Sequence, residues 1–174
     1  MKAQRLSRRI IYESEWVNLY LDNIRLPNGR VINPFHLLDF PRPAVTALVE
    51  DVNRQLILCR IYRYTTDTED WELPAGGVEN GEGVLAAARR EVWEETGYES
   101  DQHSLLYSYY PQNGLGNKLF HVVRCRAQQK TGQPDPAEVG ETRWFSRQEL
   151  EGMLSDHYFK DGFTLTALLL WLRS

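Results

Sequence analysis

No run in this chain is apolar for the roughly 20 residues needed to cross a bilayer, so the sequence predicts no membrane segment. Cysteine is scarce. The two present, Cys59 and Cys125, each sit inside an apolar run (QLILCRIY and FHVVRCRA) with no paired spacing and no second ligand nearby. That excludes a disulfide framework and predicts two small buried thiols of a reducing compartment. The four histidines, His36, His103, His121 and His157, form no cluster at ligand spacing, which argues against zinc. An excess of one charge is also missing. Twenty basic against 24 acidic residues leave a formal net charge of −4, no broad field for drawing in nucleic acid or an anionic membrane. No helix-turn-helix pattern is evident either. An anionic ligand must therefore be met by local charge or by a cation. The opening MKAQRLSRRIIY carries Lys2, Arg5, Arg8 and Arg9, but no apolar core of a secretory signal follows, so a cytoplasmic protein is expected.

What is present suits a globular chain: 174 residues, 42% hydrophobic and 25% charged, enough for one domain with a small appendage. The first forty residues alternate apolar and polar (VNLYLDNIRL, RVINPFHLLDF) around Pro27, Asn28 and Gly29, and read as a β-hairpin or meander. So few strands are not stable alone and must pack on something, the rest of the chain or a second copy. Arg42, between Pro41 and Pro43, marks a hinge. AVTALVE and QLILCRIYRY then read as neighbouring strands, TTDTED as a polar loop, and WELPAGG as a short strand ended by Pro and Gly. Val84, Leu85, Ala88 and Val92 recur at helical spacing up to a stop at Gly97. SLLYSYY, KLFHVVRCRA and TRWF read as strands and TGQPDPAEVGE as a loop. Ser146 and Glu149 form a capping-box pattern, and TLTALLLW is an apolar last helix. The sum is an α/β or α+β sandwich on a mixed sheet.

The helix before Gly97 raises a physical question. Glu91, Glu94 and Glu95 share one arc of it, at the negative end of the helix dipole, where like charges are costly. A hard dication with oxygen ligands, Mg²⁺ or Mn²⁺, would remove that cost. A solvated acidic face neutralised by Arg89 and Arg90, with Arg90 and Glu94 as an ordinary i,i+4 pair, would do so too. The helix alone leaves both open.

The preceding loop decides between them. Gly76, five residues, Glu82, seven residues, then Arg90, Glu91, Val92, Trp93, Glu94, Glu95, Thr96, Gly97 and a closing hydrophobe, Tyr98, reproduce Gx5Ex7REUxEExGU. Seven fixed identities at set spacings match by chance roughly once in a hundred million starting points, so the pattern is not accidental. The chain resembles the Nudix hydrolases over most of residues 41–174. The resemblance implies an α/β/α sandwich with a mixed sheet, binding of Mg²⁺ or Mn²⁺, and hydrolysis of a nucleoside diphosphate linked to another moiety. It makes Glu91 and Glu95 the principal metal ligands, with Glu94 assisting directly or through water and the Ala75 carbonyl adding one oxygen. Arg90 and Glu82 take structural roles beside Gly76 and Gly97, Arg90 orienting a ligand carboxylate and Glu82 holding the loop.

Features outside the box narrow the branch. RIYRYTTDTEDWELPAGG is similar to the segment before the box in enzymes acting on ADP-ribose and nucleoside-diphosphate sugars, where an arginine at the position of Arg63 approaches a phosphate. Pro111 falls close to a proline typical of that branch. The N-terminal β-unit, residues 1–40, resembles the extension through which such enzymes form homodimers, with residues 41–174 as the hydrolase domain. Where ADP-ribose enzymes often carry Ser-Pro-Gly and then Glu, this chain has Pro111, Gln112, Asn113, Gly114 and then Lys118, which shifts weight toward another sugar nucleotide such as a hexose. In this branch the general base comes from a loop beyond the box, where Glu138, and second Glu141, are the candidates. Trp16, Tyr62, Tyr64, Tyr109 and Tyr110 are candidates for stacking on the base. The expected reaction is Mg²⁺-dependent cleavage of a nucleotide sugar to a nucleoside monophosphate and a sugar 1-phosphate. The rivals are a house-cleaning hydrolase of nucleoside triphosphates or dinucleoside polyphosphates, and a non-catalytic nucleotide-sensing module.

Overall fold

The computed structural model describes residues 2–173. Two compact units divide the chain, residues 2–43 with Tyr110–Leu119, and residues 44–109 with 120–173.

The first unit is a three-stranded antiparallel sheet in the order β1-β2-β3, built from β1 (Gln4–Tyr12), β2 (Asn18–Arg25) and β3 (Val31–Asp39). Gly29 turns the β2–β3 hairpin at φ +85, a conformation that glycine adopts without steric cost, and its N–H donates to the Leu26 carbonyl at 2.9 Å. Across β1 and β2 the Arg8 guanidinium donates two 2.8 Å bonds to Asp22 and lies 4.0 Å over the Tyr20 ring. All nine residues of β1 are exposed, among them Leu6, Ile10, Ile11 and Tyr12. The segment Tyr110–Leu119 joins this unit through Leu38 N–H to the Leu115 carbonyl at 2.9 Å and Asn117 Nδ2 to Asp39 Oδ1 at 2.5 Å. The sequence assigned that segment to the second half of the chain. Nothing local in YPQNGLGNKL reveals that its partners are 78 residues upstream.

The second unit is a seven-stranded mixed sheet: β10 (Glu141–Phe145), β5 (Leu56–Arg63), β4 (Ala44–Glu50), β9 (Phe120–Lys130) and β8 (Tyr98–Tyr109) in that order, with β6 (Thr68–Glu72) on β5 and β7 (Ala75–Gly77) on β4. Among the described strands of this sheet, only β4 and β9 pair in parallel. Every residue of β4 is buried because helices cover both its faces, which is why AVTALVE reads as an almost unbroken apolar run. Val45, Ala47 and Val49 pack under α1 (Val84–Thr96) with Ala87, Ala88 and Val92. Leu48 points the other way, into a cluster with Leu150 of α2 (Arg147–Ser155) and Ala167, Leu168 and Trp171 of α3 (Gly162–Leu172). That is an α/β/α sandwich on a mixed sheet.

One local expectation changes. The polar residues Thr68, Glu69 and Asp70, read as loop, join Trp71 and Glu72 in strand β6, running antiparallel to β5. Its charges find cross-strand partners on an exposed edge: Arg60 with Glu69 at 2.9 Å, and Tyr62 Oη donating to Asp67 at 2.8 Å in the adjoining turn. Polarity that reads as loop is equally compatible with an edge hairpin. Both cysteines are free and buried, and burial raises both thiol pKa values, Cys125 to about 12. Among the described residues no helix is long and apolar enough to cross a membrane.

Candidate active site

Strand β4 shares one edge between two partners, and the site grows from that split. Its N-terminal half pairs with β7 (Ala44 with Gly77, Val45 with Gly76, Thr46 with Ala75), while its last residue, Glu50, pairs with Leu56 of β5. The strap Glu72–Gly77, from the last residue of β6 through β7, runs under the C-terminal half of α1. Pro74 gives up no needed donor there, and its carbonyl accepts from Ala47 N at 2.8 Å and Thr46 Oγ1 at 3.2 Å. The helix ends at Gly97, φ +74, whose N–H closes on the Trp93 carbonyl at 2.8 Å.

Glu95 reaches the strap. Its Oε2 accepts from Ala75 N at 3.0 Å. Burial pushes its pKa up to about 8, with repulsion from Glu91 and Glu138 adding to the rise while the Ala75 N–H and Arg63 oppose it. Glu91, only 9% exposed, lies against Gly76, where a side-chain carbon would collide with the carboxylate. Burial raises its pKa too, against a lowering by Arg90. Glu94 is exposed.

Arg90 ties this group together. Its guanidinium donates to Glu82 Oε1 and Oε2, both at 3.0 Å, to Glu91 Oε1 at 2.7 Å, to Glu94 Oε2 at 2.9 Å and to the Gly77 carbonyl at 2.9 Å. Glu82 in turn accepts from Glu79 N at 3.0 Å, closing the loop before the helix, and Arg90 holds its carboxyl below the ordinary range. The i,i+4 pair of Arg90 and Glu94 is thus present, alongside contacts from the same side chain to Glu91 and Glu82.

Arg63, at the end of β5, is gripped by the buried carboxylate of Glu72, with Nε to Oε1 at 3.0 Å and Nη2 to Oε2 at 2.5 Å. It remains close enough to Glu95 for each to alter the other's proton affinity. Glu138 stands exposed in the turn after Asp135, and its charge reaches Glu95. Glu141 is the exposed first residue of β10, opposite Arg60 in the ladder. The second unit therefore brings Ala75, Gly76, Glu82, Arg90, Glu91, Glu94, Glu95, Gly97, Arg63 and Glu138 into one neighbourhood. Pro111 is exposed in the segment belonging to the first unit. Trp16, also of the first unit, is 70% exposed with the Arg42 guanidinium 5.7 Å from its ring.

The donors suit a hard divalent cation: only oxygen atoms, two of the carboxylates sheltered from water and short of hydrogen-bond donors. Among the described residues no three His, Cys, Asp or Glu side chains already converge as a cage. Glu91 and Glu94 turn toward Arg90 and Glu95 toward Ala75, so binding a cation requires side-chain rotation about fixed backbone. Sequence patterns alone missed Glu72, Asp161 and Thr164, which brace the strap; the Glu72–Arg63 and Thr164–Leu73 contacts span 9 and 91 residues and leave no periodic signal, while Asp161 caps its helix through Thr164 only three residues on.

The NUDIX domain family matches residues 40–165, and the nucleoside diphosphate sugar hydrolase N-terminal domain matches residues 4–38. Among curated relatives, the CMP-5'-(N-acetyl-N-hydroxy-3-aminopropyl)phosphonate hydrolase of Streptomyces rubellomurinus is 28% identical over 160 residues, 91% of this chain and 74% of that protein. The ADP-ribose pyrophosphatase of Bacillus subtilis is 25% identical over 122 residues, 70% of this chain and 65% of that protein, so the match spans just under two thirds of its length. A crystal structure of an ADP compounds hydrolase superposes with a TM-score of 0.84 over 99% of this chain and 95% of that one, at 21% identity, which speaks for the fold.

Proposed function

We propose that this chain, which belongs to the Nudix family and is a hydrolase, cleaves the diphosphate bond of a nucleoside-diphosphate sugar, of ADP-ribose or hexose type, to a nucleoside monophosphate and a sugar phosphate. The observation that carries the proposal is the pair of sheltered carboxylates, Glu91 and Glu95, set on one helix face against the strap Ala75–Gly77. Glu91 and Glu95 are the principal ligands of Mg²⁺ or Mn²⁺, with Glu94 and the Ala75 carbonyl completing the protein's share. When bound, the cation screens the diphosphate and lowers the pKa of an attacking water. Arg63 meets a phosphate oxygen with the guanidinium edge that Glu72 leaves free. Glu138 takes the proton from water, with Glu141 the second candidate, and Pro111 belongs to the substrate-binding set. The matched N-terminal domain and the names of the two relatives support a nucleotide substrate carrying a second moiety on its diphosphate or phosphonate.

The chain is further proposed to be a homodimer built on residues 1–40, since the exposed apolar side chains of β1 need cover. A monomeric mass by light scattering at micromolar concentration would remove that part.

Incubation of the protein with Mg²⁺ and a panel of nucleotide sugars, with product analysis by chromatography, tests the function. Monophosphate and sugar phosphate are expected, and Glu95→Gln should lose most turnover while melting no lower than the parent. Release of orthophosphate or pyrophosphate from nucleoside triphosphates, with nucleotide sugars untouched, would overturn the proposal. Tight binding of nucleotide sugars with no product after long incubation would do the same in favour of a sensing module.

A further inference from the structure

The strap Glu72–Gly77 is pinned at nearly every residue, and one pin comes from outside the sheet and the acidic helix. Glu72 holds Arg63, Pro74 is held by Thr46 and Ala47 of β4, Ala75 donates to Glu95, and the Gly77 carbonyl accepts from Arg90. Leu73 lies between β6 and β7, so no ladder bond is assigned to it. Its N–H instead donates to Thr164 Oγ1 of α3 at 3.1 Å, with both residues fully buried. Thr164 is itself fixed, because its own N–H donates at 2.7 Å to Oδ2 of Asp161, the N-cap of α3. The Asp161 charge also reaches Arg63.

We propose that Thr164, oriented by Asp161, is a positioning residue that sets the strap carrying the Ala75 carbonyl and the Glu72–Arg63 pair from the far end of the chain. The inference rests on the function proposed above. The physical reason is the single-residue spacing. Leu73 is one residue from Glu72 and two from Ala75, and between them Pro74 allows little backbone freedom. A shift of the Leu73 amide therefore moves a metal-binding oxygen and a phosphate-binding guanidinium together. Apolar packing alone would hold Leu73 in place but would leave the rotation of its peptide plane unset. An acceptor aimed at the N–H holds that plane from the Leu73 side, and Thr164 supplies it.

Thr164→Val keeps the shape and removes the acceptor; Thr164→Ser keeps the acceptor. Leu168→Ala opens a cavity in the core cluster that also holds Leu73 but leaves the Thr164 acceptor in place, and so reports on loss of packing by itself. Four quantities are compared in the full chain: amide exchange at Leu73 by NMR, Mn²⁺ affinity of the metal-free protein by calorimetry, melting temperature, and kcat and KM with the substrate found in the screen. Thr164→Val is expected to speed exchange at Leu73, weaken Mn²⁺ binding about tenfold and lower kcat more than it raises KM. Thr164→Ser should stay within about threefold of the parent in each. Leu168→Ala should melt lower than the parent with unchanged Mn²⁺ affinity. If Thr164→Val only lowers the melting temperature, or if Thr164→Ser is as impaired as Thr164→Val, the positioning role is overturned. A parent protein that neither binds Mn²⁺ nor turns over any nucleotide sugar sinks the proposed function first, and this role with it.

Discussion

The carboxylate of Glu91 occupies the space that a side-chain carbon on residue 76 would need. Gly76 has no positive φ, so what a substitution there meets is the Glu91 carboxylate rather than backbone strain. Gly77, one residue on, has nothing within 4 Å of its missing side chain. Gly76→Ala should force the end of the Glu91 side chain out of its slot, costing under about 1 kcal/mol of stability but roughly 10- to 100-fold in kcat. Gly77→Ala should leave both within about twofold. Melting curves and steady-state rates on the two variants check the contrast.

Arg90 bonds to three carboxylates and one carbonyl through a planar fork that a lysine ammonium cannot reproduce. Arg90→Lys keeps the charge and is still expected to lose 10- to 100-fold in metal affinity, because Glu91 is left without its orienting partner. Glu94→Gln removes only the exposed arm of the same network and should lose less. Mn²⁺ titration of both variants ranks them, and an Arg90→Lys protein that binds as tightly as the parent would contradict the orienting role.

Glu138 and Glu141 lie three residues apart, and Glu138 is among the charges that raise the Glu95 pKa. Glu138→Gln is expected to lower kcat by about 10²–10⁴ with Mn²⁺ affinity retained, as removal of a general base does. Glu141→Gln, at the head of a strand, should be near the parent. The reverse order in a rate assay would move the base to Glu141.

Glu95 gives the metal-free protein a pH dependence of definite sign. Its pKa is about 8 in the folded chain against an ordinary 4.5, so the folded state holds a proton that the unfolded chain releases. Between those values stability falls as pH rises. The contribution is fully present below about 4.5 and is lost as pH climbs through about 8. Thermal melts of chelator-treated protein at pH 6, 7 and 8 should fall steadily, and those of Glu95→Gln should be flatter. Added Mn²⁺ should raise the melting temperature most at the high end, where no proton has to be displaced. A melting temperature that rises over this range in the parent but not in Glu95→Gln would contradict the buried, protonated state.

Local chemistry wrote much of this fold into the chain. The α1 helix with its Gly97 stop, the Ser146–Glu149 capping box and the apolar strand β4 follow from spacing, backbone freedom and burial periodicity. The first three residues of strand β6 did not, since charged residues on a sheet edge share their composition with loops.

The site divides the same way. Gly76, Glu82, Arg90, Glu91, Glu94 and Glu95 fall within twenty residues, and a helix with a short loop before it brings them together by local geometry, so the sequence by itself determined them. Tertiary structure alone decided that Glu72 takes hold of Arg63, that the Glu138 charge reaches Glu95, that Thr164 meets Leu73, and that Tyr110–Leu119 packs with the N-terminal strands. Those pairings depend on which strands and helices pack together, and side chains that meet only across such a junction leave no regular interval along the chain.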